Sequence, residues 1–243
     1  MIKIENTHVD NIVRAVYSAR NAMNSWDKSD SDLETYILGE NDLALAKKLS
    51  KAGNDHAKFL RMINVTVDIT APFYWWKEFD TYKVGTVANS CSTMHKIAAK
   101  EFTLEDFSYE HLLEPKDVHL PDDSCCNWNW EGCGIIAPIE ILEETIHMLN
   151  RARKMFLETK DKKYWWQMIQ LLPSSYNQKR TVQLNYQVLK SMYFARKDHK
   201  LDEWHILCDW MLNLPYFKEV CVQEYTHPNC GARMRNGSNA DTI

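Results

Sequence analysis

The sequence predicts a mixed α/β fold of the α+β kind, in which several helices flank a sheet. Three observations carry that expectation. One segment, Ile63 to Ile69, alternates apolar and polar residues with a period of two, as a half-buried strand does. At least five other segments repeat apolar residues at helical spacing and are bounded by Asn, Asp, Pro or Gly. The composition, 45% apolar and 26% charged, is that of an ordinary globular chain able to build a core.

Taken in order, Thr7 and Asp10 fit a capping box ahead of Ile12, Val13, Val16 and Tyr17, which predicts a helix over 8–23. Ser25 to Asp32 is polar and reads as a loop. Asn41 or Asp42 is placed to cap a second helix with Leu43, Ala46 and Leu49 on one face, ended by Gly53. The strand follows, with β-branched Ile63, Val65, Val67 and Ile69. Pro72 stands where a helix can begin, and the run Phe73, Tyr74, Trp75, Trp76 is too aromatic for a surface loop. Residues 101–137 hold no sustained period and are expected to form a long irregular excursion, mobile or at an interface. Pro138 opens an amphipathic helix carrying Leu142, Ile146, Leu149 and Phe156, and Pro173 breaks the helix after it. Two further helices are expected, Thr181 to Lys197 and Asp202 to Leu212. Residues 1–230 read as a single domain, and the polar tail 231–243 as disordered.

Charge and cysteine usage narrow the function classes. The formal charge is −4, so no global basic field argues for a nucleic-acid polymer, although a local cationic pocket for a small anion stays open. No run approaches the roughly 20 apolar residues of a membrane span, and the opening MIKIENTHVDN has no secretory leader pattern. Seven cysteines, an odd number, read as free thiols in a reducing, cytoplasmic setting. Cys125, Cys126 and Cys133 cluster without the paired spacing of zinc sites, so no metal is expected.

Two segments carry a family resemblance. In Glu78 to His95, EFDTYKVGTVANSCSTMH, Tyr82 and Lys83 fall near the leading His-Arg pair, and Thr86 near the first Ser, of the signature R-H-R-x-x-S-x-N-E-x-S-x-R-Y. With a one-residue shift, Asn89, Ser90, Ser92, Met94 and His95 fall at its N, E, second S, R and Y. Upstream, Asp55-His56 resembles an E-H pair. The second segment, LLPSSYNQKRTVQLNYQVLKSMYFARKDHKLDEW, is similar without a gap from Leu172 to Arg196 to a stretch reading LP…T-V-N-A-R-S-L-M-x-F-L-x-L-R. Both patterns are those of the flavin-dependent thymidylate synthases, which the chain resembles over most of 8–215. It implies a mainly antiparallel sheet flanked by helices, a homotetramer with sites at subunit seams, FAD as cofactor, NADPH and methylenetetrahydrofolate as co-substrates, and a pyrimidine deoxynucleotide as substrate (dUMP converted to dTMP). It implies flavin contacts at His56, Tyr82, Lys83, Asn185, Gln187 and Ser191, nucleotide contacts at Asn89, Ser90, Ser92, His95 and Arg196, and Arg196 as the residue that holds and activates the pyrimidine. The signature's two leading arginines, its Glu and its trailing Arg, here Met94, are absent. Arg61 and Arg180 are candidates to replace the lost cations.

The residue types suit such work, and each has a plainer alternative. Asn185, Leu189, Met192 and Arg196 are spaced to share a helix face. An arginine there can bond a pyrimidine carbonyl through its planar fork, or it can be an ion-paired structural residue. Asn89, Ser90 and Ser92 can cradle a phosphate or form a self-satisfied polar turn. His95 can titrate near neutrality or be structural, as can His56. The aromatic run fits core, subunit contact or flavin stacking. Three functions remain on the page: the family reaction, a related flavoprotein acting on a different nucleotide, and a scaffold without catalysis.

Overall fold

A computed structural model describes residues 1–117 and 137–222. Four strands form one antiparallel sheet in the order β1 (Lys3–Asp10), β2 (Asn64–Pro72), β4 (Asn177–Asn185), β3 (Val87–Ser90). β2 is central and its period of two is realised physically: Val65, Val67, Ile69 and Ala71 are buried, while the residues between them are partly exposed. Helices α1 (Ile12–Ser18), α2 (Glu40–Lys51), α3 (Phe73–Phe79), α7 (Tyr186–Arg196), α8 (Asp202–Leu212) and α9 (Phe217–Cys221) contribute to one core with β2 and β4. A short α4 (Thr93–Lys96) follows β3, and α5 (Pro138–Thr159) pairs with α6 (Lys162–Leu171). These two close a second cluster around Phe102, Phe107, Leu142, Leu149 and Met168.

Two strands of the sheet, β1 at its edge and β4 inside it, differ from the sequence expectation. The predicted helix over 8–23 is the end of β1, then α1, then a 3₁₀ turn over Ala19–Met23. Thr7 and Asp10 form no capping box: Asn11, in the left-handed region, precedes the helix, and Thr7 instead accepts a bond from Trp210 Nε1 at 2.9 Å. β1 escapes detection because its register shifts between Glu5 and His8, with Asn6 at φ 52°; a bulge breaks the alternation that marks a strand. The helix predicted from Thr181 begins only at Tyr186. Thr181 to Asn185 complete β4, where Val182 and Leu184 are buried and Thr181 and Gln183 exposed. Five residues are too few for period two to outweigh the helical pattern beyond them.

The loop before α2 explains the second cap. Neither Asn41 nor Asp42 caps the helix; Gly39 precedes it. Asp30 reaches over and accepts from the backbone N–H of Asn41 and Asp42 at 2.8 and 3.1 Å, which holds its carboxyl below the usual range, the Asn41 bond first. Asp42 is instead fully buried and receives Arg20 Nε at 2.5 Å and the hydroxyls of Ser29 and Ser31, so the buried charge is paired and bonded.

The aromatic run resolves as core within one chain. Trp75 and Trp76 are 0% and 1% exposed, packed edge-on at 4.9 Å. Burying them therefore needs no second subunit, and they give no argument for a tetramer. Of the predicted excursion, residues 101–117 are anchored in the second cluster by Phe102 and Phe107, with 3₁₀ turns at Leu104–Asp106 and Pro115–Asp117. Cys125, Cys126 and Cys133, and the tail 231–243, lie outside the described residues. Among the described residues no helix is long and apolar enough to cross a membrane, and no group of three or more His, Cys, Asp or Glu could hold a metal ion.

Candidate functional site

The strand-to-helix junction at Asn185 builds the site. Asn185 ends β4 and caps α7, its side chain accepting from Val188 N–H at 3.1 Å. The loop from Thr81 to Thr86 crosses this helix start. Gly85 allows the approach: its φ is +78°, and a Cβ there would stand 2.9 Å from Asn185 Nδ2 and 3.2 Å from Val188 Cγ2, so a side chain is excluded on both counts. Between loop and helix lies a cleft of about 500 Å³, lined by Tyr82, Lys83, Asn185, Gln187 and Ser191, and closed by Arg61, Thr81, Val84, Gly85 and Val188.

The cleft's polar groups are arranged for an anionic, hydrogen-bonding ligand. Helix N-termini attract negative charge through unpaired N–H groups and the helix dipole. Among the described residues Arg61 and Lys83 form no ion pair, so two cations stand at the cleft without compensation. Gln187 donates from Nε2 to Asn54 at 3.2 Å, while its Oε1 is buried without a partner. Thr86 Oγ1 is likewise buried and unpartnered. Ser191 donates to the Gln187 carbonyl at 3.0 Å, leaving its oxygen able to accept.

Arg196 lies beside the cleft. It is the last residue of α7, and only Leu189 and Met192 of the expected helix face are buried core; Asn185 is the cap. The guanidinium stacks 4.6 Å from the Trp204 ring, donates Nε to the Tyr82 hydroxyl at 3.0 Å and Nη1 to Glu78 Oε2 at 2.8 Å. The same Oε2 accepts Trp204 Nε1 at 3.0 Å and faces His199 Nε2 at 3.3 Å. His199 Nδ1 accepts from Leu201 N–H at 3.1 Å, which leaves Nε2 as the donor to Glu78. Tyr82 links this cluster to the cleft, since it lines one and bonds the other. Glu78 opens the first quoted motif, yet nothing in the spacing marked it, because its partners come from α7, α8 and the turn between them.

The remaining predicted residues lie apart. His56 is an exposed turn residue after α2 and does not line the cleft, although Asn54, two residues earlier, bonds Gln187. Asn89 and Ser90 are exposed on β3, paired with Thr181 and Arg180. Ser92 caps α4 by accepting from His95 N–H at 3.2 Å and lines a separate hollow of about 270 Å³ with Lys96, Lys100 and Lys179; His95 is exposed. Of the two candidate replacement cations, Arg61 reaches the cleft and Arg180 does not. Arg180 pairs with Asp80 at 2.8 Å and stacks 4.2 Å from Trp76.

No family model matches the chain, and no curated protein matches it. Solved structures do. The flavin-dependent thymidylate synthase ThyX from Helicobacter pylori complexed with FAD and dUMP aligns with a TM-score of 0.61 at 15% identity, covering 90% of this chain and 97% of that one. A second ThyX structure from Helicobacter pylori, with FAD and dUMP, aligns with a TM-score of 0.59 at 14% identity over 91% and 97% of the two chains. The chain thus has the fold of flavin-dependent thymidylate synthases across nearly its whole length, with a divergent sequence.

Proposed function

We propose that this fold serves a flavin-dependent enzyme transferring a one-carbon unit to C5 of a pyrimidine deoxynucleotide, with FAD held in the cleft between the 81–86 loop and α7. The observation that carries the reading is the convergence of Tyr82, Lys83, Asn185, Gln187 and Ser191 on one cleft, since these came from two motifs about a hundred residues apart. The residues suit a dinucleotide. Two uncompensated cations and a helix start meet a pyrophosphate, the orphaned Gln187 Oε1 meets a donor of the ligand, and a volume of about 500 Å³ lies within the ordinary range for small-molecule sites. Bound flavin would supply the hydride, taken from NADPH and passed to the unit delivered by methylenetetrahydrofolate.

The chain's own residues then bind, orient and polarise. Lys83 and Arg61 hold the anionic part of the cofactor, and Asn185 and Gln187 fix its orientation. Arg196 faces the pyrimidine, its plane set by Trp204 and its direction by Glu78 and Tyr82; it acts by hydrogen bonding and charge rather than by moving a proton. Asn89, Ser90, Ser92 and His95 stand on or after β3, away from this cleft, so in this reading they meet a nucleotide bound across a seam with another copy, as the homotetramer of the family provides. The family conversion of dUMP to dTMP is the first reaction to test. The missing signature arginines and Met94 favour a different nucleotide as the second.

Flavin binding is the primary test: the purified protein, alone or with added FAD, should show flavin's visible bands after desalting. A protein that stays colourless and leaves FAD fluorescence unquenched sinks the reading. Tritium release from C5-labelled dUMP, with NADPH and methylenetetrahydrofolate present, then tests the family reaction.

A further inference from the structure

The long helix α5 carries apolar side chains that its own chain leaves uncovered. Its inward side is settled, since Leu142, Leu149 and Ala152 are buried in the second cluster. Ile141 and Met148 are instead 58% and 46% exposed, and Met155 is partly exposed. These three recur every seventh residue, so they form one row along the helix, about 21 Å long. Scattered exposed apolar residues need no explanation. A row with a period of seven is different, because it is the seam along which one helix packs lengthwise on another.

Charge along α5 is segregated. Glu140, Glu143 and Glu144 lie in its first half, and Arg151, Arg153 and Lys154 in its second, with Glu158 beyond them. Glu144 and Arg151 each stand three residues after a member of the row, so both flank it on the same side. Both are exposed, and neither is ion-paired among the described residues.

We propose that this row docks a second copy of the chain, the two α5 helices packing antiparallel about a twofold axis at Met148. Counted outward from Met148, Ile141 lies seven residues before and Met155 seven after. Each Ile141 therefore meets Met155 of the second copy, and the two Met148 side chains meet on the axis. Glu144 lies four residues before Met148 and Arg151 three after. That brings each Glu144 within one helical rise, about 1.5 Å along the axis, of Arg151 of the second copy. A twofold axis of this kind keeps the charged flanks of the two rows on the same side, so acid meets base twice in one self-complementary contact. A parallel pair would match the apolar row equally well but set Glu144 against Glu144 and Arg151 against Arg151. The antiparallel pair also opposes the two helix dipoles. Surface, orientation and register all come from the side chains of α5, and none of them rests on the flavin reading.

The test uses the full chain. Sedimentation equilibrium should show self-association, and a chain that stays monomeric at its highest soluble concentration overturns the proposal. Arg151→Glu and Glu144→Arg should each weaken association about tenfold or more, and the double variant, which exchanges the two charges, should recover to within about threefold of the parent. Met148→Cys puts two thiols at the axis, and diamide should oxidise them to a disulfide-linked dimer on a non-reducing gel. Glu143→Cys, on another side of the helix, should not exceed the parent, whose exposed Cys91 sets the background. All four altered positions are exposed, so circular dichroism should show the fold unchanged. Parent-strength association in both single variants, a double variant no tighter than the singles, or no cross-linking of Met148→Cys above background would each place the contact on another surface and overturn the proposal.

Discussion

Removing the Glu78 carboxylate should destabilise the chain far more than deleting a partly exposed acid normally does. Glu78→Ala takes the acceptor from Trp204 Nε1, 3.0 Å away on a ring that is 0% exposed. A buried donor left unsatisfied costs about 1–3 kcal/mol. It also removes the partner of Arg196, whose side chain is 18% exposed. That pair is neither fully buried nor fully solvated, and the guanidinium keeps Trp204 and Tyr82, so about 1 kcal/mol is a fair allowance. The sum is roughly 2–4 kcal/mol, or a fall in Tm of roughly 5–15 °C for a chain of this size. Urea unfolding followed by both far-ultraviolet circular dichroism and tryptophan fluorescence is the assay, since coincident transitions license a two-state free energy. A double-mutant cycle with Trp204→Phe isolates the indole–carboxylate bond and should return a coupling of about 1 kcal/mol or more. If Glu78→Ala lies within about 0.5 kcal/mol of the parent, the carboxylate does not hold Trp204 and Arg196, and the argument from that cluster collapses.

Other perturbations separate the cleft from the scaffold. Gly85→Ala places a Cβ against Asn185 and Val188 at a φ of +78°; it should cost about 1–2 kcal/mol from the backbone alone and weaken FAD binding, and unchanged affinity would mean the loop does not form the site. Arg61→Ala and Lys83→Ala should leave the melting temperature unchanged and each weaken FAD about fivefold at low salt, converging on the parent as salt rises; equal affinities at low salt would move the anion elsewhere. Asp68 accepts from Thr181 and Asn6 and pairs with Lys179, and these bonds, Thr181 first, pull its carboxyl down to about 2. A depressed carboxyl stabilises the fold above its unfolded value and loses that contribution as pH falls from about 4 to about 2. Asp68→Asn should therefore flatten the acid limb of stability against pH, and an unchanged limb would show that the tie between β1, β2 and β4 does not matter.

Periodicity and punctuation determined much of this protein by themselves. β2, α5 from Pro138 and α8 over Asp202–Leu212 were legible because each follows one period long enough to be read and is bounded by a residue whose backbone ends or starts it, and the start of α3 was marked by Pro72 alone. The motif residues Tyr82, Lys83, Asn185, Gln187 and Ser191 were legible as a set. That they face one cleft was not, because two segments far apart in sequence meet only when β3 and β4 pair. β1 and the first half of the Thr181 segment stayed hidden where a bulge and a strand-to-helix junction interrupt the pattern. The tertiary structure alone decided the environment of Arg196. From sequence, a cationic face for a ligand and an ion-paired residue were both open. In the fold it is ion-paired and stacked by Glu78 and Trp204, with one nitrogen to spare. Charge partners and hydrogen-bond order are set by which side chains converge in space, and no spacing along the chain encodes them.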